Sequence, residues 1–396
     1  MQPESRPVRP FRINVADDML AGIAAKLALS RVGYAPADDR DWRYGTDARW
    51  LAGLLDHWRD RYDWRSAERH LNRWPHYKAE VDGLDVHFIH VQPKGESILP
   101  LILTHGWPGS FFEFDAAIEP LLAQGFSLII PSLPGFAFSS RPEVPIGPRR
   151  VAGLWYKLMT DVLGYRRFGA QGGDWGTAVT TWLGRDHSDA LAAIHLNLFI
   201  APEDIAGDDA ATTAWREHSR AVRMRESAYM MEQATKPQTI GLALADNPLG
   251  FAAWVSEKFH GWADTKGDIE SRFSKDHLLT NIMLYLVNDA VQSAIWTYRS
   301  ALTEPRDGAR VTVPTGLALF PAEFLPYPPR SAAERAYDVV RWTEMAAGGH
   351  FAAMEEPAAF AAEVGAFFRQ IAEAESRSSN RGRKGIQEGK DHVQCG

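Results

Sequence analysis

Five short apolar runs, separated by stretches of helical periodicity, constrain this chain more than any other feature. They are "LPLILTHG" at 99–106, "FSLIIPSLPG" at 126–135, "YRRFGAQGG" at 165–173, "ALAAIHLNL" at 190–198 and "VTVPTGLALF" at 311–320. Runs this short and this continuously apolar suit strands covered on both faces. Repeated alternation of such strands with helices predicts the α/β class: a mostly parallel sheet flanked by helices.

Two regions stand outside that rhythm. Residues 1–90 read as a helical segment and hairpin wrapping the core. In "DARWLAGLLDHWRDRYDW", Trp50, Leu54 and Trp58 recur at helical spacing, and "YKAEVDGLDVHFIHVQP" alternates around Asp82-Gly83, a two-residue turn signal. Residues 201–304 read as a helical lid between the core segments 91–200 and 305–376. The remainder, 377–396, lacks apolar periodicity and reads as a disordered tail. His87 and His90 lie three apart on a strand and so face opposite sides, which favours packing or surface roles over a shared metal.

Composition narrows the function classes. Hydrophobic residues make up 45% and charged residues 23%, as in a folded protein, and a net charge of -7 with interspersed signs argues against a nucleic-acid groove. The single cysteine, Cys395, excludes an intrachain disulfide and fits a reducing cytoplasm. The "MQPESRPVRPFRINV" start has no apolar leader, and no later run is long enough to cross a bilayer. A cytoplasmic protein without cofactor or metal is the expectation.

The chemistry centres on "FGAQGGDWGTAV", residues 168–179. Gly172, Asp174 and Gly176 have the Gly-x-nucleophile-x-Gly spacing of a strand-to-helix elbow, with aspartate where serine is usual. A carboxylate attacking a carbonyl gives a reactive anhydride. Attacking a saturated carbon with a leaving group, it gives an alkyl ester that water can open, so an epoxide or haloalkane suits it. An Asp N-cap after a glycine turn also explains the residue, whereas phosphate binding would need other spacing and no carboxylate.

Ester hydrolysis needs an oxyanion hole, a base and an acid that orients the base. The strand running into His105-Gly106-Trp107-Pro108 offers the Trp107 N–H, and the Trp175 N–H completes the hole. His350, in "EMAAGGHFAAMEEP", occupies a late loop where this fold order places the base. Glu323, at the end of the strand in "LALFPAEFLP", is the preferred orienting acid, with Asp338 as its rival.

"HGWPGS", "GGDWG", "FPAE", "GGHFAAMEEP" and "KPQTIGLALADNP", with the Trp-rich N-terminal segment, resemble the microsomal-type epoxide hydrolase family of the α/β-hydrolase fold, over roughly residues 8–375. The resemblance implies that fold with a helical lid and an N-terminal meander, with Asp174 as nucleophile, His350 as base and Glu323 as charge partner. It also implies two lid tyrosines that protonate the epoxide oxygen, at Tyr229 and Tyr298; Tyr285 competes, but its apolar helix favours packing. Unlike the anchored animal members, this chain begins near "FRINV" and is similar to the soluble bacterial type. The implied partners are a small-molecule epoxide and water, with no nucleic acid and no membrane anchor, and a homodimer is the default assembly. Trp254, Phe259, Trp262 and Trp296 suggest a bulky apolar or aryl epoxide, met in detoxification or in secondary metabolite biosynthesis. A haloalkane dehalogenase is the rival, although a halide leaves without a proton and the tyrosines would have no task; a non-catalytic binding protein is the remoter one.

Overall fold

Asp82 and Gly83 both adopt positive φ, 48° and 82°, and close the hairpin that their sequence predicts. The computed structural model describes residues 8–199, 207–304 and 309–391. Its strands are β1 (Arg9–Phe11), β2 (His76–Val81), β3 (Leu84–Val91), β4 (Leu99–Thr104), β5 (Phe126–Pro131), β6 (Phe168–Gly172), β7 (Leu191–Leu196), β8 (Val311–Leu319) and β9 (Tyr337–Glu344). They form one sheet in the order β1-β2-β3-β5-β4-β6-β7-β8-β9. The pairings from β5 to β9 are parallel; β1, β2 and β3 add an antiparallel flank. Every residue of β5 and β7 is buried, as expected of strands covered on both faces.

Helices α1 (Asp17–Leu29), α2 (Ala48–Asp60) and α3 (Trp64–Leu71) precede the hairpin. Between β4 and β7 come α4 (Asp115–Ala123), α5 (Pro148–Lys157) and α6 (Trp175–Asp186). The chain leaves β4 toward β5, then returns to β6 on the other side of β4 and moves away through β7. Right-handed crossovers running in opposite directions put α4 and α6 on opposite faces. The reversal leaves a crevice beyond the carboxyl ends of β4 and β6, the usual place for a site in such sheets.

Between β7 and β8 lie α7 (Ala210–Glu226), α8 (Ala228–Thr235), α9 (Pro237–Asp246), α10 (Pro248–Trp262), α11 (Lys275–Leu286) and α12 (Val291–Thr303). The seams of this helical region, 200–206 and 305–308, fall outside the described residues. The N-terminal helices tie it to the sheet flank: Lys26 pairs with Asp246 at 2.7 Å, His57 with Asp276 at 2.7 Å, and the Thr46 hydroxyl donates to Ala253 O at 2.6 Å.

The chain closes with α13 (Arg330–Ala336), α14 (Ala352–Glu355) and α15 (Pro357–Asp391). Phe360, Val364, Phe367 and Phe368 bury one face of α15 in the core. Helix α15 runs past residue 377, where the sequence reads as a tail, to Asp391. Absence of apolar periodicity does not by itself exclude helix, and glutamate, arginine, lysine and glutamine are adequate helix formers. Cys395 lies outside the described residues. No helix among those described is long and apolar enough to cross a membrane.

Candidate active site

Asp174 joins β6 to α6 with φ 47° and ψ -125°, a conformation that costs a non-glycine residue on the order of 1–3 kcal/mol. Two close approaches explain the flanking glycines. A Cβ on Gly172 would lie 2.1 Å from Gly176 O, and one on Gly176 would lie 1.9 Å from Thr104 O. The carboxylate makes no cap hydrogen bond to α6, which removes the N-cap explanation. It turns instead toward the Gly106–Gly109 turn, where Trp107 N–H donates to Asp174 Oδ1 at 2.8 Å. A Cβ on Gly106 would lie 2.1 Å from that same oxygen. Trp175 is the first residue of α6, so its N–H has no intrahelical acceptor and is available on the adjacent side.

The second carboxylate oxygen faces the late histidine. His350 Nε2 lies 3.2 Å from Asp174 Oδ2 without completing an aligned hydrogen bond. On its other side, Nδ1 is 2.9 and 3.1 Å from the two oxygens of Glu323. That spacing puts a proton on Nδ1, donated to Glu323, and turns Nε2 toward Asp174. Both side chains are nearly sealed, with 2% of His350 and 1% of Glu323 exposed. Burial pulls the imidazole downward, but Glu323 and Asp174 outweigh it and hold His350 well above its ordinary value. Its loop is fastened by His350 N–H to Trp262 O at 3.0 Å.

Rings roof the carboxylate. Tyr229 of α8 and Tyr298 of α12 meet at 5.8 Å between centroids and 82° between planes. Trp107 stacks on Tyr229 at 5.5 Å and meets Tyr298 edge-on at 5.7 Å, while Trp175 meets Tyr298 at 4.8 Å. Burial, reinforced by the Asp174 charge, raises the pKa of both phenols, and the neighbouring Tyr229 adds to the effect on Tyr298. Both stay protonated at neutral pH. Tyr298 Oη lies beside the Trp175 indole yet completes no well-formed hydrogen bond among the described residues. The indole N–H groups of Trp107, Trp175 and Trp262 are likewise buried without a partner there.

Asp174, His350, Glu323, Tyr229, Tyr298, Trp107 and Trp175 therefore converge on one place. Asp338 does not: it pairs with Arg310 at 3.3 Å at the start of β9, far along the strand from the loops that carry Glu323 and His350. Tyr285 is fully buried with its hydroxyl donating to Gly109 O, bracing the turn from α11. Among the lid aromatics, Trp262 meets His350 at 5.0 Å and Phe259 stacks on Phe351 at 4.2 Å, whereas Trp254 donates to Gln233 at 2.9 Å. His87 is enclosed beside His76 and Ser132, and His90 bonds Tyr165. Among the described residues no cluster could hold a metal ion.

Two acids went unnoticed in the sequence. Glu113 lies close to the Gly106–Gly109 turn, and Glu355 accepts from Phe351 N–H at 2.9 Å and Asp264 N–H at 2.7 Å. The signal for the first was an acid inside the aromatic run "FFEF".

Known proteins match along nearly the whole chain. The profile for the epoxide hydrolase N terminus matches residues 8–114, and that for the alpha/beta hydrolase fold matches 100–218. A Stigmatella aurantiaca protein, provisionally named an epoxide hydrolase, is 41% identical over 92% of this chain and 85% of its own. Epoxide hydrolase 1 of Sus scrofa is 33% identical over 92% and 89%. The crystal structure of juvenile hormone epoxide hydrolase from Bombyx mori superposes with a TM-score of 0.87 at 28% identity, covering 94% of this chain and 97% of that one.

Proposed function

The chain belongs to the epoxide hydrolase family of the α/β-hydrolase fold, and from that premise we propose that it converts epoxides to vicinal diols through an ester on Asp174. Asp174 Oδ2 attacks a ring carbon, the C–O bond breaks, and Tyr229 and Tyr298 supply a proton to the departing alkoxide. His350 Nε2 then takes a proton from water, whose oxygen adds to the Asp174 carbonyl carbon. The oxyanion forms on the oxygen that Trp107 N–H already holds, joined by the Trp175 N–H. Collapse releases the diol and restores the carboxylate; the proton on His350 returns to the tyrosine through solvent. Glu323 keeps the imidazole oriented and stabilises its charged form.

The observation that carries this reading is the pair of buried, protonated phenols facing the Asp174 carboxylate. An alkoxide needs their proton and a halide does not, so they favour an epoxide over a haloalkane. The aromatic roof supports an apolar or aryl substrate. Helices α7–α12 act as the lid and residues 8–90 as the meander that braces it. A cytoplasmic homodimer acting in detoxification or biosynthesis completes the proposal.

Intact-protein mass spectrometry of His350→Gln tests it. After exposure to styrene oxide, the variant should gain the whole mass of the epoxide, mapped to Asp174, because alkylation proceeds and hydrolysis stalls. An alkyl gain without halogen from a 1-haloalkane, and none from the epoxide, would turn the assignment to dehalogenation.

A further inference from the structure

Glu113 is a carboxyl that the proposed mechanism leaves without a task. It lies in the 3-10 turn Phe111–Phe114, flanked by buried phenylalanines. The Gly106–Gly109 turn thus carries a carboxyl at each end. A Cβ on Gly106 would meet Asp174 Oδ1 at 2.1 Å, and one on Gly109 would meet Glu113 Oε1 at 1.5 Å. Trp107 N–H donates to the first carboxyl, and Gly106 N–H faces the second. Glu113 is half-buried, and desolvation is the largest influence on it.

Asp174 faces Glu113 from the turn before α6, His350 from the loop after β9, and Tyr285 from α11. His105, buried and neutral, follows β4 directly before the same turn, and Glu355 of α14 faces His350 from beyond. On the outer side, His70 and His277 gather round Phe112, with Asp115 beside His70. Arg73 completes that outer cluster, pairing with Asp115 at 2.7 Å, and Arg272 acts on Glu355, whereas the resolved influences on Glu113 itself include no lysine or arginine. Two carboxyls facing one turn do not both ionise easily. Burial first, then the charge of Asp174, pushes Glu113 up to about 8 against smaller pulls from His350 and the Gly106 N–H.

We propose that Glu113 is a positioning residue, whose uncharged carboxyl seats the Gly106–Gly109 turn so that Trp107 N–H meets the reaction's oxyanion, and whose ionisation ends turnover on the alkaline side. The inference rests on the proposed roles of Asp174 and His350. Ionised, Glu113 adds negative charge beside the oxyanion and holds the His350 proton more tightly, and both effects slow ester hydrolysis. The loss therefore develops as pH rises through the ionisation of Glu113.

The test uses the full chain with styrene oxide. Intact mass at pH 7 first verifies the ester in wild type, Glu113→Gln and Glu113→Asp; single-turnover ester hydrolysis is then followed from pH 6 to 10. In wild type the rate should fall about tenfold per pH unit once pH exceeds the ionisations of both His350 and Glu113. Glu113→Gln, which keeps the shape and cannot ionise, should abolish that limb, raising the ratio of rates at pH 9.5 and pH 7 by about tenfold or more. Glu113→Asp should keep the limb with a displaced midpoint, which serves if the glutamine variant does not fold. A purely structural carboxyl would scale the rate equally at every pH. That result, an unmoved midpoint in Glu113→Asp, or a wild-type profile flat to pH 10 overturns the inference. A wild type that forms no ester overturns the reading beneath it as well, and the mass measurement distinguishes the two failures.

Discussion

The floor of the site is built from backbone and its roof from rings. On the floor, strand ends and tight turns aim their groups: Asp174 is held by a strained elbow and a 2.8 Å bond from Trp107 N–H, and His350 by Glu323 and a main-chain bond to Trp262. The roof holds Tyr229 and Tyr298 by edge and face contacts with Trp107, Trp175 and Trp262, and Tyr298 leaves its hydroxyl unbonded among the described residues. The difference matches the charges that the proposed mechanism gives each to handle. An oxyanion needs donors that are fixed before it forms. A proton donor needs a low-dielectric setting that keeps it neutral, and burial among rings supplies that.

Mutations should therefore separate the two regions by reaction step. Asp174→Asn has the largest expected effect, lowering turnover by about 10⁴-fold or more because no ester forms; normal activity in freshly prepared protein would remove the floor's central residue from the mechanism. His350→Gln should leave alkylation standing and slow ester hydrolysis by about 10²–10⁴-fold, read as a persistent adduct by mass spectrometry. Tyr229→Phe with Tyr298→Phe should reverse that pattern, slowing alkylation by about 10²–10⁴-fold while ester hydrolysis changes little. Equal slowing of both steps would dissolve the distinction between roof and floor.

Acidity sharpens the comparison further. His350 is held above its ordinary value, and only its neutral form accepts a proton from water. Ester hydrolysis should therefore fall about tenfold per unit as pH drops below that raised value. Alkylation, which uses phenols raised beyond the working range, should show no such limb in stopped-flow single turnovers.

The smallest effect concerns the joint between the regions. Arg272 bonds Asp264 of the roof at 2.6 Å and Glu356 beside the His350 loop at 2.7 Å. Arg272→Met should cost about 1–2 kcal/mol in stability, read as a lowered melting temperature. A larger loss in ester hydrolysis than in alkylation would show that the joint serves the floor.

Much of this architecture was legible because it depends on neighbours in the chain. Five apolar runs became β4 to β8, Asp82-Gly83 became a hairpin turn, and the glycines around Asp174 became an elbow. The helical path of α15 beyond residue 377 was not legible, because patterning reports burial better than it reports helix. Glu113 escaped because a lone acid in an aromatic run discloses nothing about what its carboxyl will face. Tyr229 and Tyr298 were reached through family resemblance, since helical spacing alone does not distinguish a tyrosine lining a site from one packed in a core, as Tyr285 illustrates.

By itself the sequence determined the order of strands and helices, the sharp turn at Asp174 and the kinds of side chain available for chemistry. Backbone sterics and apolar periodicity act over a few residues, so both can be read locally. The tertiary structure decided which groups meet: Trp107 with Asp174 across 67 positions, and His350 with Glu323 across 27. It also decided their charge states, because desolvation and the field of a nearby carboxylate exist only after distant segments have packed together.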